Sequence, residues 1–448
     1  MFDLAITNGV VVDPVDGEYI SNIGISAGKI EKISPDFLEG RASIDLHGGK
    51  ITPGFIDIHM HGGEVNAPCI FYAEIFDYMA LMGVTTCVGG NCGLGNSEIF
   101  KFKNSGLPVN YLSLIGHGAL REKVGCSDRY RAASNDQLEK MIVLLEEGLE
   151  GGSLGLSFGL EYTPGAPIDE LIKLCRVVSR YPNKMVSAHY RFDASRALEA
   201  IAELIIVARD AGVRFQISHL NSCTAFGQTD EGLRMIDAAH REGVDLGVDA
   251  YPYAAFSTFI GSAVFDPGCF EKWGVSYDAV LVCEGRYRGQ RCSEEIFNYI
   301  RKHEPESLVV AFVMKEEEVV RAIRHPLVMI ASDGLMKNGQ GHPRAAGAFP
   351  RVLGRYVREE KHLNLVEALK KMTLMPAGRL SLATKGRIKE GYDADITIFN
   401  SDTIIDRATF ENPTEPPVGI EYVFVNGIKV VEKGRLTGNL PGSFLSVQ

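Results

Sequence analysis

Eight short apolar runs, each reading as a buried strand, constrain this chain of 448 residues more than any other feature. They are GFIDIHMH (54–61), GVTTCVGG (83–90), PVNYLSLIG (108–116), GSLGLSFG (152–159), MVSAHY (185–190), VRFQISHL (213–220), DLGVDAYPY (245–253) and LVMIASDG (327–334). Helical patterns separate many of them, as in residues 135–152, 194–212 and 230–243, and each pattern closes near a glycine, as helix C-termini often do. Buried strands alternating with helices imply parallel βα units. Eight such strands imply an α/β architecture, a TIM-like (β/α)8 barrel.

The two chain ends have a different character. FDLAITNGVVVDP (2–14) alternates as a strand, with a turn expected at Asn8-Gly9 and a second strand after it. Residues 22–34, 394–400 and 421–434 repeat the pattern, the last around Asn426-Gly427. These ends predict one small β-sandwich from residues 1–50 and 385–448, around a barrel of residues 51–384. Residues 254–312 fit the alternation poorly and read as an insertion with its own helices.

Composition narrows the function. Lys+Arg is 46 against Asp+Glu 57, a net charge of -11 with no basic run, which argues against nucleic acid as a partner. No apolar stretch approaches the roughly 18 residues of a membrane span. The first basic residue is Lys29, so no charged signal-peptide lead is expected, and nine scattered cysteines do not form a disulfide framework. A reducing, cytoplasmic setting follows as the expectation, in which a thiol is free to bind metal.

The reactive residues fall at strand ends, where a barrel of this kind carries its chemistry. His59 and His61 alternate on one strand and share a face. Such a pair suits a divalent metal or two buried, hydrogen-bonded histidines; the preceding ITPGFIDIHMHGG favours metal. Cys92 offers a soft thiolate, and its bland alternative is a small buried side chain. His189 and His219 each end a strand, and having both raises the metal reading. Asp333 ends the last strand, where a carboxylate serves as metal ligand, general base or helix cap. The fourth strand, GSLGLSFG, has no lysine that could be carboxylated to bridge two metals; Cys92 could supply a bridge instead, with Glu161 as a competitor. His117 also ends a strand and reads as a substrate contact or a scaffold residue, and Cys283 and Cys292 read as structural.

Taken together, PGFIDIHMHGG (53–63), GNCG (90–93), SAHYR (187–191), QISHLN (216–221), DAYPY…ST (249–258), SDG…HPRAAGAFPRVLG (332–354) and GRIKEGYDADITIFN (386–400) resemble the amidohydrolase superfamily, and within it the N-acyl-D-amino-acid deacylases. The resemblance implies a zinc-dependent amide hydrolase. It implies one tight zinc on Cys92, His189 and His219, and a second, weaker position involving His59, His61, Cys92 and Asp333. It makes Asp333 the catalytic acid/base and assigns Arg344, Tyr251 and Ser257 to the substrate carboxylate. Zinc would lower the pKa of water to about 7, and Arg344 could grip a carboxylate through two parallel hydrogen bonds. Leu220-Asn221 and Tyr190 depart from the commoner family pattern, at positions that bear on substrate preference. The expected partner is a small N-acyl amino acid or dipeptide. A dipeptidase acting on peptides that end in a D-residue is the alternative. A cyclic-amide hydrolase fits less well, because the bridging lysine is missing and a carboxylate clamp is present.

Overall fold

The computed structural model describes residues 1–62, 74–96 and 106–447. Gly63 of the PGFIDIHMHGG motif and Cys69, one of the nine cysteines, lie outside the described residues. The eight apolar runs form eight parallel strands in sequence order: β1 (Phe55–Asp57), β2 (Val84–Gly89), β3 (Asn110–Gly116), β4 (Gly155–Gly159), β5 (Met185–His189), β6 (Phe215–Ile217), β7 (Leu246–Ala250) and β8 (Val328–Ile330). Every residue of these strands is buried, which is why each reads as a continuous apolar run. The sheet closes where the segments after β1 and β8 meet. Asp333 N donates to His59 O at 2.8 Å, His61 N donates to Gly334 O at 2.8 Å, and Met60 pairs with Gly334 in parallel. The expected barrel is therefore present, and its closing seam lies on three of the predicted functional residues.

Both chain ends join one nine-stranded sheet. Its path runs from Arg435–Leu436 through Ile428–Glu432, Ile420–Val425, Ile396–Phe399, Lys50–Pro53, Phe2–Asp13 and Gly17–Ser26 to Lys29–Ser34, with Gly40–Asp45 alongside Phe2–Asp13. It buries Ile6, Val11, Ile23, Ile51, Ile396 and Phe424 in a cluster separate from the barrel core. The predicted turn at Asn426-Gly427 is present, both residues having the positive φ that a type I′ hairpin demands. The turn expected at Asn8-Gly9 is absent. Phe2–Asp13 is one strand, and its pairing register shifts between Ile6 and Gly9. Asn8, at φ 56°, donates its backbone N–H to Asn22 Oδ1 and absorbs the extra residue as a bulge. Glycine at position 9 lets the Ile51 side chain pack against this strand, since a Cβ there would meet Ile51 Cδ1 at 2.3 Å and force it to shift. The last residues leave this sheet and cross to the barrel: Gly442 and Phe444 bridge to Leu107 and Tyr111, and Val447 O accepts from Lys184 Nζ.

Between β7 and β8 the insertion builds a three-stranded antiparallel sheet, Phe256–Phe259, Leu308–Ala311 and Val280–Val282, with helices Cys269–Trp273 and Glu294–His303. Phe256, Phe265, Phe270, Trp273 and Phe297 pack edge to face and tilted inside it, giving this small unit a core of its own. Two neighbouring residues fasten it to the barrel. Trp273 Nε1 donates to Asp193 Oδ2 at 2.6 Å, and Lys272 Nζ pairs with Asp193 Oδ1 at 2.5 Å.

Candidate metal centre and active site

A cavity of about 510 Å³ opens at the C-terminal ends of the strands, between the barrel and the insertion. His61, Cys92, His189, His219, Asp333 and Arg344 line it together, as do Phe256, Ser257 and Thr258 of the insertion. Cys92 Sγ is at the centre. It lies 3.4 Å from His59 Nε2 and 3.5 Å from His219 Nε2. His59 Nε2 is 3.3 Å from Asp333 Oδ1, and His61 Nε2 is 3.1 Å from the same oxygen. His59, Cys92, His219 and Asp333 each offer a donor atom within 4.8 Å of the others, and all four are buried.

Those separations are the test of whether a metal fits. A tetrahedral ion with arms of about 2.0–2.3 Å has donor-to-donor edges of about 3.3–3.8 Å. The three donor contacts at 3.3, 3.4 and 3.5 Å fall on that edge length. The donors comprise a thiolate, imidazoles and a carboxylate, a set suited to a borderline divalent metal. His189 stands beside the set. Its ring centroid is 4.6 Å from that of His219, and its Nε2 meets Glu161 Oε2 at 3.1 Å. All six predicted metal residues therefore meet at one mouth. The closest four draw on both of the expected groupings, and His61 and His189 hold the two flanks.

The electrostatics describe too many lone pairs in too little space. Burial opposes charge on Cys92, yet the His59 charge and hydrogen bonds from His189, His219 and His59 hold the thiol well below its usual range. Burial likewise opposes protonation of His61 and His189, but Asp333 and the thiolate raise His61 to about 9, and the thiolate and Glu161 raise His189 to about 9. For Asp333, burial is outweighed by Arg344, His219 and His59, so its carboxyl lies well below the usual carboxylate range. Protons here do what a bound cation would do, which is to neutralise converging donors.

The backbone is bent to make this convergence. Cys92 (φ 54°), His219 (φ 33°) and Asp333 (φ 49°) all occupy the left-handed region. Each such residue costs on the order of 1–3 kcal/mol, a cost that persists only where surrounding structure enforces it. Close packing does so at Cys92: a Cβ on Gly159 would meet Cys92 O at 2.1 Å, so the loop after β2 lies directly on β4.

A layer of polar residues that the sequence analysis did not single out aims the candidate ligands. Asp249 Oδ1 accepts from His219 N at 2.7 Å and lies 3.5 Å from His59 Nδ1, while its Oδ2 accepts from Gln216. Ser222 Oγ lies 2.9 Å from His219 Nδ1, accepts from Tyr190 Oη at 2.8 Å and donates to His219 O at 2.9 Å, which holds the ring with Nε2 aimed at Cys92. Asp57, raised to about 6 by burial, accepts from the backbone N–H groups of His59 and Ser332 and ties β1 to β8. Only the alternation Asp57-His59-His61 could have pointed to any of these.

Comparison with known proteins shows the family. Residues 188–431 match the amidohydrolase family. N-acyl-D-glutamate deacylase of Alcaligenes xylosoxydans xylosoxydans is 32% identical over 96% of this chain and 93% of its own. The chain belongs to the amidohydrolase family. D-aminoacylase from the same organism is 30% identical over 99% of this amidohydrolase and 98% of itself. The crystal structure of N-acyl-D-glutamate deacylase from Bordetella bronchiseptica, complexed with zinc and a phosphonate mimic of the tetrahedral intermediate, is 28% identical, with full coverage of both chains and a TM-score of 0.88.

The remaining predicted residues divide clearly. Arg344, Tyr251 and Ser257 come together: the Arg344 guanidinium carbon lies 4.5 Å from the Tyr251 ring centroid, and its Nη2 donates to Ser257 O at 3.3 Å. His117 is turned to the scaffold, with Nε2 2.8 Å from Glu170 Oε1, an oxygen that also accepts from Arg121 Nη1 at 2.7 Å. Glu161 pairs with His189 on one side and Lys272 of the insertion on the other. Cys283 and Cys292 are buried thiols, each pushed up to about 12 by burial.

Proposed function

We propose that this amidohydrolase cleaves the amide bond of N-acyl-D-amino acids, releasing a carboxylate and a free D-amino acid, and that zinc is its metal. One observation carries the reading. Beside the metal cradle, Arg344 Nε, Tyr251 Oη and Ser257 Oγ are buried without a hydrogen-bond partner inside the protein, while Arg344 Nη1 is paired with Asp333 Oδ2 at 2.9 Å. Buried donors are seldom left unmatched. A guanidinium with two hydroxyls nearby is the complement of a free α-carboxylate.

His59, Cys92, His219 and Asp333 would hold the ion, with His61 and His189 adjacent; bound there, it supplies Lewis acidity that polarises a carbonyl and makes water acidic near neutral pH. The chain's own residues do the rest. Arg344, Tyr251 and Ser257 anchor the α-carboxylate, which places the scissile carbonyl at the cradle. Asp333, ionised and held between His61 and Arg344, takes the proton of the attacking water and delivers it to the departing nitrogen, so the amine leaves neutral. Asp249 and Ser222 keep the imidazoles aimed through both steps. Fixing the carboxylate and the carbonyl leaves one side of the α-carbon for the substrate side chain, and this sets the hand accepted.

The test is a panel of N-acetyl and N-formyl amino acids of both hands, with dipeptides ending in a D-residue, supplied to zinc-loaded enzyme. Turnover is expected for D-substrates with a free carboxylate, and Asp333→Asn is expected to abolish it while the fold remains. Equal rates on L-substrates, or near-normal turnover by folded Asp333→Asn, would overturn the reading.

A further inference from the structure

We infer that His342 is the positioning residue that sets the spacing of the carboxylate clamp; this rests on the clamp reading above. His342 is buried, two residues before Arg344 and at the entrance to helix Arg344–Arg351. Its two ring nitrogens reach opposite walls of the clamp. Nε2 lies 3.0 Å from Ala255 O, and Nδ1 accepts from Arg344 N at 3.0 Å. A carbonyl can only accept and a backbone N–H can only donate, so the two contacts fix one neutral tautomer: proton on Nε2, lone pair on Nδ1. The ring therefore ties the backbone of Arg344 to Ala255, two residues before Ser257, whose carbonyl accepts from Arg344 Nη2.

Tyr253 and Phe410 hold the imidazole edge to face at 5.0 Å on either contact, so the ring cannot tilt to follow a displaced partner. Burial and the nearby Arg344 charge keep it unprotonated. The consequence is specific. One side comes from the helix after β8 and the other from the segment entering the insertion; Arg344 Nη2 reaches across to Ser257 O with its side-chain tip, whereas His342 ties the Arg344 backbone itself to Ala255. An error of about 1 Å in such a placement can cost about a hundredfold in rate. His342 does not touch the metal cradle donors, so its loss should alter carboxylate recognition and leave metal binding alone.

The experiment compares His342→Asn and His342→Gln with wild type. The Asn amide oxygen can still accept from Arg344 N but is too short to reach Ala255; Gln can reach Ala255 but leaves Arg344 N unmatched. Each keeps one of the two bonds, which favours folding, and zinc content and melting temperature are measured alongside. Kinetics use the best N-acetyl-D-amino acid of the panel and its primary carboxamide. We expect KM for the carboxylate substrate to rise at least tenfold in both variants, with kcat within threefold. The preference for carboxylate over carboxamide should fall at least tenfold, with zinc content unchanged. Nitrogen-15 spectra of histidine-labelled wild type should show a buried imidazole in the Nε2–H form that stays neutral below the ordinary imidazole range. Equal losses on both substrates, an unchanged preference, or a protonated or Nδ1–H ring would overturn the inference while leaving the clamp in place. A wild type indifferent to the carboxylate would overturn the clamp, and the inference with it.

Discussion

Two buried histidine clusters stand at the mouth of this barrel, and they are built for opposite ends. Around His117, one carboxylate, Glu170, receives both the imidazole and the guanidinium of Arg121, and also accepts from Ala133 N. The carboxylate answers the guanidinium charge, no thiol takes part and none of the three residues has a positive φ, although His117 Nδ1 and Arg121 Nε are buried without a hydrogen bond. Around Cys92, four imidazoles, a thiolate and a carboxylate converge with a single arginine at the edge, on three residues of positive φ. The first cluster pairs its charges on one carboxylate without an ion. The second has a surplus of lone pairs that a divalent ion would satisfy. Histidine at a strand end therefore says little; the balance of donors and acceptors around it says much more.

The largest expected effect breaks the second cluster. Cys92→Ser or His219→Asn should lower kcat/KM by at least about a hundredfold, since even outer partners of metal ligands cause losses of that size. Bound zinc, measured by elemental analysis, should fall in parallel. A variant that keeps both zinc and activity would remove Cys92 from the centre. Next in size is Arg344→Lys, which keeps the charge but loses the fork. A drop of about 10- to 100-fold in kcat/KM, mostly in KM, matches the loss of one charge-assisted hydrogen bond of about 1.5–3 kcal/mol. Steady-state kinetics on the preferred N-acyl-D-amino acid would show it, and an unchanged KM would count against the clamp. The first cluster should answer differently. Glu170→Gln leaves Arg121 buried without its counter-charge, so stability should fall by about 3 kcal/mol. Activity below the new unfolding transition should stay within about threefold. A large rate loss with little change in melting would mean that this cluster reaches the substrate after all.

The difference between the clusters also explains what could be read in advance. All eight barrel strands were legible, because a strand buried on both faces is a continuous apolar run that ends where the polar mouth begins. The six candidate metal residues could be singled out because they sit at or just beyond those ends, and the fold brings them together. Asp249 and Ser222 were not, since an aspartate in DAYPY or a serine in a helix start looks like any capping or packing residue until the fold sets it against a histidine. The strain at Cys92, His219 and Asp333 left no trace in residue type, because these positive-φ positions are filled by candidate ligands and not by glycine. Asn8-Gly9 misled for the converse reason: a dipeptide suited to a hairpin serves here as a bulge, since Asn22 across the sheet supplies the partner. Nothing in residues 254–312 announced that Lys272 and Trp273 would fasten the insertion to Asp193.

The smallest predicted effect is also the sharpest contrast between the clusters, because their histidines titrate in opposite directions. Burial lowers His117 below its ordinary 6.5, while Asp333 and the Cys92 thiolate outweigh burial and raise His61 to about 9. His117 stays neutral in the fold where the unfolded chain takes up a proton. Its contribution to stability is therefore present above about 6.5 and lost as pH falls through its folded value. His61 holds its proton in the fold where the unfolded chain releases one. Its contribution is present below about 6.5 and lost as pH rises through about 9. The Cys92 thiolate works against this second trend, so the comparison must be made one histidine at a time. Urea unfolding midpoints of chelator-treated wild type, His117→Gln and His61→Gln between pH 5 and 9.5 give the differences. Replacing His117 should flatten the acid limb only, and replacing His61 should flatten the alkaline limb only. If His61→Gln left the alkaline limb as steep as in wild type, the thiolate and carboxylate would not be holding that proton. The surplus of lone pairs on which the metal assignment depends would then be smaller than the geometry requires.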